Sequence, residues 1–216
     1  TPEDSNAREK ICQYFKRLGK INHIQQLDRI DPLVGKYEPQ KFEPPDEEHL
    51  EELVESLRSD PKWGWCFAAL FVYGCRPSEV FSLQVNKNGT GKVLTIKQKR
   101  KLPTWRTCLA LPRHLVDSLN LSEIDRPWDV YSPEQYDSEQ AKELINGWGK
   151  WLRRRRGHMD LTLYILRHSW AVRCIRSNIE TGLASKCMGH DISTHMKTYS
   201  RYLTEKDIAE VAAKLL

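Results

Sequence analysis

Three side chains in the last quarter of this 216-residue chain, Arg167, His190 and Tyr199, have the chemistry of a site that cuts a phosphodiester. An Arg presents planar paired donors to a phosphate diester. A His adds a further hydrogen bond, and a Tyr hydroxyl can attack phosphorus to form a covalent intermediate. No carboxylate cluster lies in this stretch to hold a metal ion, so guanidinium groups would supply the charge stabilisation. Taken singly, each has a plain alternative: a surface Arg, a His capping a helix, a half-buried Tyr. Their setting is helical. Leu163, Leu166, Trp170 and Cys174 keep the spacing of one buried helix face and project Arg167 from its flank. A second apolar segment, with Leu183, Ala184 and Cys187, stops at Gly189, a residue suited to a helix C-terminus. His190 follows directly, and Tyr199 lies nine residues beyond it.

Leu166-Arg167-His168-Ser169-Trp170-Ala171, then Met188-Gly189-His190, then Tyr199 resembles the tyrosine recombinase (phage integrase) family. Its members read roughly H-x-L-R-H-[ST]-x-A, then L-G-H, then Tyr nine residues after that His. One position departs. The family usually has a His three residues before the Arg, where it assists proton transfer, and this chain has Tyr164 there. A phenol is a weak base at neutral pH, so Tyr164 is expected to orient groups by hydrogen bonding. Upstream, Gly74-Cys75-Arg76-Pro77-Ser78-Glu79, with Leu83 four residues on, is similar to the family box G-x-R-x-x-E-x-x-x-L. Pro77 fits a first helical position, which leaves Arg76 at a turn, free to point into a cleft. On spacing alone Arg76 and Glu79 read as a surface ion pair worth a few tenths of a kcal/mol. The resemblance makes Arg76 the first phosphate-binding Arg and Glu79 an acidic partner that keeps the site's shape, with His168 in support.

Between the two boxes, residues 92–97 and 105–111 alternate as strands around a Lys/Arg/Pro turn, an antiparallel hairpin with a strongly basic tip. In the resembled family a Lys on this hairpin reaches the minor groove and protonates the departing 5′ oxygen. Lys99 stands nearest that place. Lys97 and Lys101 are alternatives, since the usual Lys-Thr-Gly turn is absent, and Lys97, Arg100 and Lys101 also suit DNA contact. Lysines that keep a solvated edge from aggregating are the competing reading. A helix from about residue 138 carries Ala141, Leu144, Ile145, Trp148 and Trp151 or Leu152 on one face and ends in Arg153, Arg154, Arg155 and Arg156. A last turn favours cations on dipole grounds. Four in a row exceed that need and suit sequence-independent phosphate contact.

Residues 1–45 hold a helix over 7–18, with Ile11, Tyr14, Phe15 and Leu18 on one face, and then a linker bearing Pro32, Gly35, Pro39, Pro44 and Pro45. The resemblance makes them the end of a missing DNA-clamping domain; an N-terminal arm packed on the main domain is an equal alternative. Residues 46–216 form the catalytic domain in this reading. It opens with a helix after Asp46 (Leu50, Leu53, Val54, Leu57). A second helix takes Asp60 as cap and Pro61 as first residue, turns Trp65, Ala69 and Phe71 to the core and ends at Gly74. Residues 113–136 suggest a short helix and a loop. After Tyr202, Thr204 and Asp207 form a variant capping box before a stripe of Ile208, Val211, Ala212 and Leu215. In the family this tail often docks on the next subunit; packing on its own core is the default reading here.

The expected fold is mixed, mainly α with a small antiparallel β-sheet, like the tyrosine recombinase catalytic domain (the DNA breaking-rejoining fold). The resemblance implies a site-specific recombinase that cleaves and rejoins double-stranded DNA through a 3′-phosphotyrosyl intermediate, with no metal, cofactor or ATP. It implies a homo-oligomer, dimer to tetramer, on DNA, cytoplasmic and associated with a bacterial or phage nucleoid. A net charge of +5 suits that partner. No run of about 18 apolar residues or signal peptide is visible, so no membrane span is expected. Cys12, Cys66, Cys75, Cys108, Cys174 and Cys187 read as reduced core thiols. Three readings compete: relaxation of DNA like a type IB topoisomerase, a non-catalytic DNA-binding relative, and a zinc site of Cys187, His190 and His195, which lacks an obvious fourth ligand.

Overall fold

The computed structural model describes residues 4–36, 46–95, 103–157 and 161–202, and beyond these residues 205, 209, 212 and 213, all four helical. The chain divides into two compact units, Thr1–Glu43 and Pro44–Leu216. In the first, the Ser5 side chain accepts from Arg8 N at 3.2 Å and starts α1 (Asn6–Ile21). The segment expected to be linker is partly structured: Leu27–Leu33 is a 3₁₀ helix that packs on α1. Arg8 Nε donates to Leu33 O at 2.7 Å, and Lys16 pairs with Asp31. Cys12 and Gly19 are the buried residues of α1, whereas Ile11, Tyr14, Phe15 and Leu18 are exposed.

The second unit is built round α3 (Gly64–Tyr73), a helix buried on every side. It begins three residues later than the Pro61 start expected from sequence. The Asp60 carboxylate instead caps a turn, accepting from Lys62 N at 3.1 Å and Trp63 N at 2.9 Å. Before it lies α2 (Glu47–Leu57), where Asp46 accepts from His49 N at 3.1 Å and Leu50 and Val54 are buried. α3 ends at Gly74 in the left-handed region, φ 57°. A Cβ there would lie 2.3 Å from Trp170 Cγ, so glycine serves both the turn and the close approach.

Next comes a 3₁₀ helix, Pro77–Ser82, and then a sheet of β1 (Gln84–Val85), β2 (Gly91–Thr95) and β3 (Thr104–Cys108), antiparallel in that order. Gly91 faces Cys108 and Thr95 faces Thr104. β3 stops at Cys108 rather than 111, because Leu111 N leaves the ladder and donates to Val72 O at 2.9 Å. The tip residues Lys97, Lys99, Arg100 and Lys101 lie outside the described residues. After α4 (Leu115–Ser118), α5 (Ser138–Arg155) starts at Asp137 and stacks Trp148 on Trp63, centroids 5.7 Å apart.

α6 (Leu163–Arg176) packs along α3, and α7 (Thr181–Met188) packs on α8 (Ile192–Tyr199). Trp170, Ala171, Cys174, Ala184, Cys187, Met188 and Tyr199 make a second core cluster beside the main one. Leu183, expected on the buried face of α7, is exposed. All six cysteines are free and buried. Of the final stripe, Ala212 is helical and exposed, while Thr204, Asp207, Ile208, Val211 and Leu215 lie outside the described residues. The architecture is mainly α with a small antiparallel sheet, as the periodicities imply. Among the described residues no helix is long and apolar enough to cross a membrane.

Candidate active site

The C-terminus of α7 gathers three arginines from three other parts of the second unit. A helix leaves its last carbonyls without intrahelical partners and carries partial negative charge there. Arg106 Nε from β3 donates to Cys187 O at 2.9 Å. Arg167 from α6 donates to Met188 O at 2.7 Å, and Arg76, from the turn after α3, to Gly189 O at 2.8 Å. Three consecutive carbonyls thus take one guanidinium each. Gly189 closes the helix in the left-handed region, φ 68°, and a Cβ on it would meet Arg106 Nε at 2.8 Å.

Glu79 holds the other side of the cluster. It is fully buried, so the reading of Arg76 and Glu79 as a surface ion pair is overturned. Its Oε1 accepts from the Arg76 guanidinium at 2.8 Å, and its Oε2 accepts from Arg76 N and from Arg106, both at 2.7 Å. Burial alone would push this carboxyl up, yet Arg106, Arg76 and Arg167 hold it below the usual carboxylate range. Arg167 does not project from the flank of α6. It is 4% exposed, and its second anchor is Gly74 O at 2.9 Å, at the C-terminal end of α3. Burial lowers its guanidinium to about 10; Glu79 raises it, while Arg76 and Arg106 lower it further. Three guanidiniums against one carboxylate leave an excess of positive charge on a preformed lattice, and further N–H donors for an anion.

Arg106 is the member that sequence reasoning missed. Alternation along β3 puts it on one face with Cys108, but only the fold shows that this face is the inner one.

Beside this lattice stands Tyr199, the last residue of α8 and 2% exposed. Its Oη lies 2.7 Å from His168 Nδ1. The rings of His195, His168 and His190 surround it at centroid distances of 4.7, 5.6 and 6.3 Å. His190 Nε2 and His195 Nδ1 share a hydrogen bond of 3.0 Å. Burial, then Arg167 and His195, push His190 down to about 3, so its ring is neutral at neutral pH. Burial and Arg167 lower His195 as well. Sequence spacing points to His195 only as a zinc ligand. Among the described residues no group of three or more His, Cys, Asp or Glu is placed to hold a metal ion. A cavity of about 330 Å³ borders this side, with Ile175, Ile179, His195, Met196 and Tyr199 in its wall.

The remaining candidates lie further out. Tyr164 is 52% exposed, with its ring 6.5 Å from that of His168. At the end of α5, Arg153 and Arg154 are exposed. Arg155 lies over the Trp151 ring at 5.0 Å and 3.3 Å from Asp60, and Arg156 donates to Leu161 O at 2.8 Å. The structure therefore brings together Arg76, Glu79, Arg167, His168, His190 and Tyr199, adds Arg106 and His195, and leaves the α5 arginines apart.

No protein-family model matches the chain. Over 153 residues it is 26% identical to Excisase A of Nostoc sp., a match that takes in 66% of this chain. It spans about a third of that relative's length, 31%. Among solved structures it is similar to XerA recombinase, with a TM-score of 0.52 and 17% identity over 99% of this chain and 85% of the other. It is also similar to the Tn1549 transposon integrase in complex with circular intermediate DNA, with a TM-score of 0.50 and 14% identity over 100% and 87%. At such identities the likeness establishes the fold, which is that of the tyrosine recombinase catalytic domain.

Proposed function

We propose that this chain is the catalytic part of a site-specific recombinase that cleaves and rejoins double-stranded DNA through a 3′-phosphotyrosyl bond. The observation that carries this reading is the convergence of Arg76, Arg106 and Arg167 on the end of α7, beside a buried Tyr199. Arg76 and Arg167 hold the non-bridging oxygens of the scissile phosphate, and the neutral His190 adds a hydrogen bond. Arg106 stands behind them and keeps Glu79 ionised. Tyr199 attacks phosphorus, and Lys99 protonates the departing 5′ oxygen. The phosphotyrosyl bond keeps the energy of the broken diester, so rejoining to another strand needs no ATP. Arg153 and Arg154, with the hairpin tip, track the DNA backbone. Residues 1–45 are the end of a DNA clamp, and protomers assemble on the duplex as dimer to tetramer. The similarity to Excisase A and to recombinase and integrase structures supports this class of activity.

The test begins with duplexes selected from a random library by binding to the protein. A selected sequence, nicked near its centre to trap cleavage, is expected to become covalently attached, and peptide mapping should place the adduct on Tyr199. Tyr199→Phe should lose the adduct while still binding. Adducts that persist in that variant and vanish in Tyr202→Phe would move the nucleophile to Tyr202. Binding without any adduct across the enriched sequences would replace the enzyme with a non-catalytic DNA-binding protein.

A further inference from the structure

We infer that His168 takes the proton from Tyr199 in the cleavage step, in place of the residue that stands three positions before Arg167. This rests on the recombinase reading and deepens it. The Tyr199 hydroxyl lies 2.7 Å from His168 Nδ1. With the ring proton on Nε2, Nδ1 is the acceptor and the phenol donates to it. Tyr199 is 2% exposed, so bulk water has little access to it, and the ring nitrogen already hydrogen-bonded to its hydroxyl is the base in place to receive the proton. Three other groups are worse placed. Tyr164 is half exposed, its ring is 6.5 Å from that of His168, and a phenol is a poor base. His190 and His195 hydrogen-bond each other at 3.0 Å, and burial beside Arg167 makes both weaker bases. His168 is the next residue to Arg167 on α6, so the helix that positions a phosphate anchor positions the base as well.

The step balances without any further reagent. The Tyr199 O–H bond breaks, its proton passes to His168 Nδ1, and the phenolate oxygen forms the new bond to phosphorus. The bond from phosphorus to the 5′ oxygen breaks, and that oxygen leaves with the electron pair and receives a proton from the hairpin lysine. On rejoining, the imidazolium of His168 returns its proton to the tyrosine oxygen. Among the described residues, the titratable rings beside this one are Tyr199 from α8 and Tyr164 from its own helix.

The experiment follows adduct formation on the selected nicked duplex in single turnovers across pH, for the wild-type chain, His168→Asn, and His168→Ala with and without added imidazole. Asn keeps an acceptor near the place of Nδ1 but does not take up a proton. Both substitutions are expected to slow cleavage about 10²- to 10⁴-fold, the usual worth of a positioned base, while DNA binding is kept. The wild-type rate should fall towards acid as His168 is protonated, and that limb should vanish in His168→Asn. Imidazole should restore part of the His168→Ala rate. A near-wild-type rate in His168→Asn, or slow variants that keep the acid limb and ignore imidazole, would assign His168 a structural role and overturn the inference alone. Wild-type protein that binds but never forms an adduct would overturn the recombinase reading, and this inference with it.

Discussion

The arginine lattice and the tyrosine pocket adjoin each other yet are made in different ways. Arg76, Arg106 and Arg167 come from a turn, a strand and a helix far apart in the chain, and each is fixed by at least two hydrogen bonds. Tyr199 sits at the end of the 8-residue α8, held by ring packing and the hydrogen bond to His168, with a cavity of about 330 Å³ alongside. The lattice is set on folding, so an anion that binds there meets dipoles and charges already oriented. The proposed nucleophile rests on a short helix with room beside it, the kind of element that can shift at modest cost. In the proposed reaction, binding falls to the stiff half of the site and attack to the adjustable half.

That contrast predicts unequal costs of mutation. Glu79→Gln removes the buried counter-charge that Arg76 and Arg106 share, and breaking a buried pair from one side costs about 3–5 kcal/mol. Urea unfolding at neutral pH should show a loss of that size; a loss under ~1 kcal/mol would mean the arginines do not depend on Glu79. Because the Glu79 carboxyl is held below its ordinary value, its contribution is present above the unfolded carboxyl pKa and lost as pH falls through the folded one. The Gln variant should lack that part of the acid sensitivity. Arg106→Gln leaves Glu79 with Arg76 and should cost less, about 1.5–3 kcal/mol. In the tyrosine pocket, His195→Phe keeps a ring against Tyr199 and removes the bond to His190, for about 0.5–1.5 kcal/mol. If His195→Phe proved as costly as Glu79→Gln, the division into a stiff and an adjustable half would fail.

A pH experiment sharpens the same point. His190 is depressed to about 3, against about 6.5 when unfolded. A depressed histidine favours the folded state fully above the unfolded value and loses that contribution as pH falls towards the folded one. The fall in denaturation midpoint between pH 7 and pH 5 should therefore be smaller in His190→Gln than in the wild type. Equal falls would show that His190 titrates normally and stands outside the field of Arg167.

How much of this was legible in the sequence follows from how local each feature is. The stripe of α6, the stop of α7 at Gly189 and the stripe of α5 are set by neighbours a turn apart, and periodicity alone gives them. The candidates Arg76, Glu79, His190 and Tyr199 come from the family resemblance that their motifs carry, since each taken singly has a plain structural reading. What pulls them together is not local. Arg167 is buried because its donors meet Gly74 O and Met188 O, and apolar periodicity does not count such partners. Arg106 stayed hidden because a two-residue period marks two faces of β3 without saying which one the core will cover. The 3₁₀ helix at Leu27–Leu33 was missed because its short, Pro-containing run has no period to detect.

The smallest expected effect concerns the arginines that the lattice does not use. The run at the end of α5 divides. Arg155 lies on Trp151 and near Asp60, and Arg156 is tied to Leu161 O, so both have work in the fold. Arg153 and Arg154 are exposed. Exchanging both of these for Ala should leave the unfolding midpoint unchanged and weaken DNA binding equally across sequences. The slope of log affinity against log salt should become shallower by about 0.9 for each phosphate that is no longer neutralised. Arg155→Ala should do the reverse: little change in salt slope, and a stability loss of no more than ~1 kcal/mol, since its ion pair is partly solvated. A salt slope that ignores Arg153 and Arg154 would make them solvated cations answering the α5 dipole. The buried lattice and the hairpin tip would then have to supply the whole electrostatic hold on DNA.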